Sequence, residues 1–147
     1  MDLHCSRSFG PAALAQEILD LDMETLVVEH EQDLVAYAQL HRGPAPPCVR
    51  GAATGAAPIE LHRLYVLESW HGSGVAAALL DAVMERAAAV GTDVLWLGVW
   101  ERNPRAIRFY DKCGFREIGD QVFVLGTDPQ RDLVMARSIE KRRQEIL

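Results

Sequence analysis

The sequence predicts an α+β fold in which helices pack on a mixed β-sheet. Three observations carry this. β-rich runs recur along the chain, amphipathic stretches of helical spacing interrupt them, and Val94–Trp100 is apolar almost throughout, as in a strand buried on both faces. The order along the chain is helix, hairpin, strand, helix, strand, helix, hairpin. At 147 residues and 16.3 kDa the chain has room for one core, so residues 1–147 are read as a single domain.

Each element has a local cause. Residues 1–23 read as a short helical segment, because Pro11 suits a first helical position and Leu14, Ile18 and Leu21 share a face. Thr25–His30 and Leu34–Leu40 flank the polar Glu31-Gln32-Asp33 and predict an antiparallel hairpin. Residues 43–58 carry Gly43, Pro44, Pro46, Pro47, Gly51, Gly55 and Pro58, and read as a flexible loop. Ile59–Val66 is a strand with one polar and one apolar side. Glu68–Ser73 is a turn, and a helix runs from Gly74 to Val90 with Val75, Leu79, Ala82 and Val83 in one stripe, stopped by Gly91. Asn103 as N-cap and Pro104 at the first position start a further helix that ends near Cys113. Phe115–Leu125 and Asp132–Arg137 form a second hairpin about Gly126–Pro129, and the tail from Glu140 is a helix end or frayed terminus.

Charge and composition exclude several classes. Lys and Arg number 15 against 21 Asp and Glu, a net charge of −6. That balance argues against a nucleic-acid partner and is compatible with a cationic substrate. The apolar runs fall short of the roughly 18 residues a membrane span needs, and Met1–Gly10 lacks a secretory pattern. Cys5, Cys48 and Cys113 are odd in number and far apart, with no CxxC or His/Cys spacing for zinc. No metal is expected, and the reducing cytoplasm is the default location.

The most informative stretch is the strand–turn–helix from Ile59 to Leu80, with His71-Gly72-Ser73-Gly74-Val75-Ala76 at the turn. Two glycines at a helix start leave backbone N–H groups bare, and the helix dipole adds positive charge, so a pyrophosphate fits there. Alone, such a turn reads equally as a tight connection. It lacks the third glycine of a dinucleotide fingerprint and the Lys-Ser/Thr of a Walker loop. A second cluster follows one strand later, Asn103-Pro-Arg-Ala-Ile-Arg-Phe-Tyr-Asp-Lys-Cys-Gly-Phe115.

Together these residues resemble the GNAT superfamily of acetyl-CoA-dependent N-acetyltransferases. The family's phosphate loop, Gln/Arg-x-x-Gly-x-Gly/Ala, is matched from His71 to Ala76, with His71 in place of the usual Gln or Arg. Its second signature, Asn-x-x-Ala-x-x-Phe-Tyr-x-x-x-Gly-Phe, is met in full from Asn103 to Phe115. The resemblance covers residues 24–139 and implies an α/β-layered, mostly antiparallel twisted sheet flanked by helices. Trp96-Leu-Gly-Val-Trp-Glu-Arg-Asn103 and the stretch from Val122 to Leu133 look like the bacterial PaiA-type polyamine acetyltransferases. The family places a strand and a helix ahead of the segment that begins here near Phe9. That N-terminal strand and helix are therefore expected to be missing, unless a start site lies upstream or a partner's strand covers the edge.

The resemblance also assigns roles. Backbone groups of Leu64, Tyr65 and Val66 would meet the pantetheine arm and acetyl carbonyl of acetyl-CoA. Amides from Gly72 through Ser73, Gly74, Val75 and Ala76 to Ala77 would hold the pyrophosphate, with His71 at the loop's first position. Asn103 would contact the cofactor, or act as an N-cap, or both. Tyr110 would protonate the departing sulfur; read without the motif, it is a core residue. Glu60, four residues before Leu64, is the candidate base that deprotonates the amine, with His62 in reserve. Strand alternation puts Glu60, His62 and Leu64 on one face up to a bulge expected near Leu64; the alternative is a solvated strand face. Cys113, Trp96 and Trp100 read as packing or dimer-contact residues.

The function implied is transfer of acetyl from acetyl-CoA to a primary amine of a small molecule such as a polyamine. Acetylation of a protein or aminoglycoside amine is the runner-up. A non-catalytic acyl-CoA-binding regulatory module is the reading from another class. Homodimerisation is implied by the family alone.

Overall fold

The computed structural model describes residues 22–50 and 58–139. Six strands form one sheet in the order β1-β2-β3-β4-β6-β5. They are β1 (Met23–His30), β2 (Asp33–His41), β3 (Ile59–Val66), β4 (Val94–Trp100), β5 (Arg116–Leu125) and β6 (Asp128–Ser138). Helices α1 (Pro47–Arg50), α2 (Val75–Ala89) and α3 (Pro104–Lys112) connect them. Neighbouring strands are antiparallel except β3 and β4, which α2 joins as a crossover. The expected α+β layering with a mixed sheet is what forms.

The sheet's two faces carry different loads. On the first face Ala36, Ala38 and Leu40 of β2 and Leu95, Leu97 and Val99 of β4 meet Leu79, Leu80 and Val83 of α2. Ala106 and Tyr110 of α3 join the same core. On the second face Val94, Trp96 and Val134 form a smaller cluster under α1, whose Val49 is fully buried. This corrects the reading of residues 43–58 as one flexible loop: Pro47–Arg50 is a helical turn seated on the sheet. Its anchor was obscured by the surrounding prolines, which suit a first helical turn as well as a loop. Residues 51–57 lie outside the described residues, as do most of the predicted N-terminal helical segment and the tail from Glu140. Met23, placed at the end of that segment, instead opens β1.

A bulge in β3 decides which residues share a face. Gln39 pairs with Arg63 and Leu40 with Leu61, so His62 is the extra residue. The parity of the strand switches there. Ile59 and Leu61 before it and Leu64 and Val66 after it all enter the first-face core. Leu64 therefore lies on the face opposite Glu60 and His62, not beside them as simple alternation with a later bulge predicts.

The hairpin ends were also set locally. Glu31 and Gln32 form the two-residue β1–β2 turn, both at positive φ (50° and 72°). β6 begins at Asp128 rather than Asp132, leaving Gly126 and Thr127 as the turn. At α3, Asn103 Oδ1 accepts from the Ala106 N–H at 3.2 Å, and the Arg137 guanidinium donates to the Cys113 carbonyl at the other end. Among the described residues no helix is long and apolar enough to cross a membrane, and no His/Cys/Asp/Glu group could hold a metal ion.

Candidate active site

The site grows from the place where the sheet splits. The parallel pairing of β3 with β4 comprises Ile59 with Leu95 and Glu60 with Trp96. Beyond that point β4 continues against β6, while Leu64–Val66 lie past the last parallel rung. Their backbone on the β4 side is thus outside the parallel ladder, and the Val66 carbonyl there accepts from His71 instead.

After Val66 the chain makes a turn at Glu68–Trp70 and enters α2 through Gly72 and Gly74, at φ 79° and 87°. Side chains rarely adopt that backbone, which is why glycine stands at both positions. Gly74 is the N-cap and has no side chain of its own to cap α2, and no acid occupies its first turn. The first helical bond runs from the Ala78 N–H to the Gly74 carbonyl, and Ser73 Oγ approaches the Val75 N–H at 3.4 Å. The amides of Val75, Ala76 and Ala77 therefore stand at the positive end of a helix, an anion-binding arrangement.

A cavity of about 240 Å³ lies against this turn. Val66, His71, Gly72, Gly74, Ala76 and Ala77 form one wall; Arg105 and Phe109, one turn apart on α3, form the other. Neither α3 residue was given a role from the sequence: Arg105 occupies a variable position of the Asn103–Phe115 signature, and Phe109 is one of its fixed positions but was read only as part of the motif. Their i, i+4 spacing was the available signal. His71 joins the two walls. Its Nε2 lies 2.9 Å from the Val66 carbonyl oxygen and its Nδ1 3.2 Å from Arg105 Nη2. A carbonyl only accepts and a guanidinium only donates, so the neutral Nε2–H tautomer satisfies both. A bare helix start facing an arginine across a cleft fits a pyrophosphate.

Other predicted residues fall elsewhere. Tyr110 is fully buried, its ring 5.3 Å from Phe109 and 5.7 Å from Phe115, and it belongs to the main core rather than the cavity wall. Tyr65 sits on the second face, stacked on Tyr37 at 5.4 Å. Leu64, Ser73, Val75 and Asn103 are off the cavity wall, Asn103 being the cap of α3. Glu60 is on the second face, its Oε1 3.4 Å from His41 Nδ1 and 3.5 Å from His62 Nδ1. His41 was not foreseen; it reaches Glu60 because the two residues are cross-strand partners. The Cys113 thiol is pushed up in pKa by burial and then by Asp81, against the pull of Arg137. A thiol so held is a poor nucleophile, in keeping with a packing role.

The family model for the acetyltransferase (GNAT) family matches residues 4–115. The chain belongs to this family. An N-acetyltransferase of Mycobacterium tuberculosis (strain ATCC 25618 / H37Rv), itself described as uncharacterized, is 38% identical over 132 residues, 90% of this chain and 78% of its own. Among solved structures, the ribosomal-protein-S18-alanine N-acetyltransferase of Escherichia coli superposes with a TM-score of 0.69 at 17% identity, covering 95% of this chain and 83% of its own. An aminoglycoside 6′-N-acetyltransferase complexed with coenzyme A gives 0.71 at 16% identity, with 92% and 84% covered. At such identities the structural likeness speaks for the GNAT fold. The GNAT chain is thus an acyltransferase, and its split sheet and bare α2 start are where its cofactor chemistry is to be sought.

Proposed function

We propose that this GNAT chain transfers acetyl from acetyl-CoA to a primary amine of a small molecule, with a polyamine as the first acceptor class to try. One observation carries the reading: the start of α2 and Arg105 enclose a cavity beside the point where β3 parts from β4. The polyamine assignment rests on the likeness of the Trp96–Asn103 and Val122–Leu133 stretches, and the net charge of −6 suits a cationic acceptor.

Acetyl-CoA supplies an activated acyl carbon when bound. The amides of Val75, Ala76 and Ala77, with the Arg105 guanidinium, bind its pyrophosphate. The backbone of Leu64–Val66 orients the extended arm. Glu60, on the opposite face of the sheet, takes the proton from the ammonium of the acceptor, and the Tyr110 hydroxyl gives a proton to the leaving sulfur. His62 stands beside Glu60 as a second proton acceptor. The two reactants then approach from opposite faces and meet at the split. The Tyr110 role requires its hydroxyl to come within reach of the sulfur when the arm is seated.

The test is release of free thiol from acetyl-CoA in the presence of spermidine, a peptide with a free N-terminus, or an aminoglycoside. Turnover with any of the three supports the transfer reading, and preference for spermidine supports the acceptor class. A rise in melting temperature with acetyl-CoA but no turnover on any amine would sink it. Glu60→Gln should abolish the acidic limb of the pH–rate profile; an unchanged profile removes Glu60 as the base.

A further inference from the structure

Resting on that reading, we propose that His41 is a positioning residue for the reaction: it fixes the Glu60 carboxylate and keeps it ionised. The geometry is specific. His41 and Glu60 are cross-strand partners, and Nδ1 of His41 lies 3.4 Å from Glu60 Oε1. His62, the bulge residue, brings its own Nδ1 to 3.5 Å from the same oxygen, and the two imidazole rings are 5.9 Å apart. In its Nδ1–H tautomer His41 donates to Oε1. Donors to a carboxylate favour its charged form and hold its pKa down, so the base stays ready at lower pH.

Gly43 holds the His41 ring in place. A Cβ at residue 43 would lie 2.6 Å from His41 Cε1, so the chain doubles back tightly over the imidazole. Gly43 has no positive φ to explain a glycine there; the ring contact explains it. Among the described residues, the charged and titratable groups that the pairing places on this face include Glu60, His62, buried Arg63 and Tyr65 from β3, with Arg42 next in the chain. Tyr37 and Gln39 lie on the same side of β2, while Met23 and Thr25 of β1 and Trp96 of β4 bring no charge.

The proton balance is simple. The acceptor enters as an ammonium; its N–H bond breaks, the proton forms an O–H bond on the Glu60 carboxylate, and the neutral amine keeps the electron pair. After transfer, Glu60 returns the proton to water. His41 itself neither gains nor loses a proton; it donates the Nδ1 hydrogen bond throughout.

The experiment compares His41→Phe, His41→Asn and Gly43→Ala with the wild type, using acetyl-CoA and the first amine of the panel above that turns over. Asn places an N–H where Nδ1 stands, and Phe does not. His41→Phe should lower kcat about tenfold, leave the KM for acetyl-CoA within about twofold, and move the acidic limb of the profile up by about half a pH unit or more. His41→Asn should restore the limb, and Gly43→Ala should shift it in the same direction by less. A fall in kcat with the limb unmoved in His41→Phe overturns the proposal, since lost packing alone does not retune a base. If no amine turns over, the transfer reading fails by itself. The Glu60 carboxylate is then titrated by carbon NMR in wild type and His41→Phe: an upward shift supports the pairing, and an unchanged midpoint overturns it.

Discussion

Arg105 Nη2 lies 3.2 Å from His71 Nδ1, tying the start of α3 to the turn that opens α2 across a separation of 34 residues. The same imidazole holds the Val66 carbonyl from its other nitrogen. One side chain thereby links the three pieces of backbone that border the cavity. Arg105 is exposed, so its bond to His71 alone adds little to stability. In the proposed reading it holds a guanidinium toward the cofactor's pyrophosphate.

Removing that guanidinium therefore tests the cofactor side of the site. Arg105→Ala should raise the KM for acetyl-CoA about tenfold, the scale of one charge-assisted hydrogen bond, with the melting temperature of the free protein nearly unchanged. The effect should shrink as salt rises, because added ions screen an exposed charge. Steady-state kinetics at two ionic strengths read both quantities. A KM that does not move would detach Arg105 from the cofactor.

Much of this site was legible in the sequence, for physical reasons. The Gly72 and Gly74 pair announced a tight turn with bare N–H groups at a helix start, and Asn103-Pro104 announced a helix start. Both are local effects that a short window captures. What the sequence hid is relational. The bulge at His62 depends on how β2 and β3 pair, and it alone moves Leu64 to the face away from Glu60. His41 meets Glu60 through the same pairing. Arg105 and Phe109 reach the cavity because of where α3 packs. The burial of Val49 likewise depends on a sheet face supplied by residues 94, 96 and 134.

Tyr110 poses the sharpest question about the chemistry, since it is buried among Phe109 and Phe115 while its proposed role needs contact with the leaving sulfur. Tyr110→Phe keeps the ring packing and removes the hydroxyl alone. As a general acid, its loss should lower kcat about a hundredfold with the KM for acetyl-CoA little changed. Stability should fall by about 1 kcal/mol, or about 2–4 °C in melting temperature. If kcat holds and only the melting temperature falls, the hydroxyl serves packing.

The β1–β2 turn offers a gain instead of a loss. Glu31 and Gln32 both stand at positive φ, where a Cβ costs energy that glycine does not. Gln32→Gly should relieve that strain and raise stability by about 0.5–1 kcal/mol, even after the added freedom of the unfolded chain is counted. Thermal unfolding should show a rise of about 1–4 °C. A lower melting temperature would mean that side-chain contacts of Gln32 outweigh its backbone strain.

Cys113 should contribute to the loss of stability at alkaline pH. Burial raises the pKa of its thiol, Asp81 adds to the rise, and Arg137 opposes it in part. The folded state thus holds this proton more tightly than the unfolded chain does, where a thiol titrates near about 8.5. Below that value the thiol is protonated in both states and the stabilisation is fully present. As pH climbs past it, the unfolded chain gains by ionising first, so stability is lost progressively up to the folded value. Denaturant midpoints measured between neutral pH and pH of about 10 should fall more steeply for the wild type than for Cys113→Ala. Cys113→Ala removes the thiol and with it this part of the slope, whatever it does to the midpoint at neutral pH. Parallel slopes in the two proteins would mean that the thiol is as well solvated in the fold as out of it, and that Arg137 cancels the effect of burial.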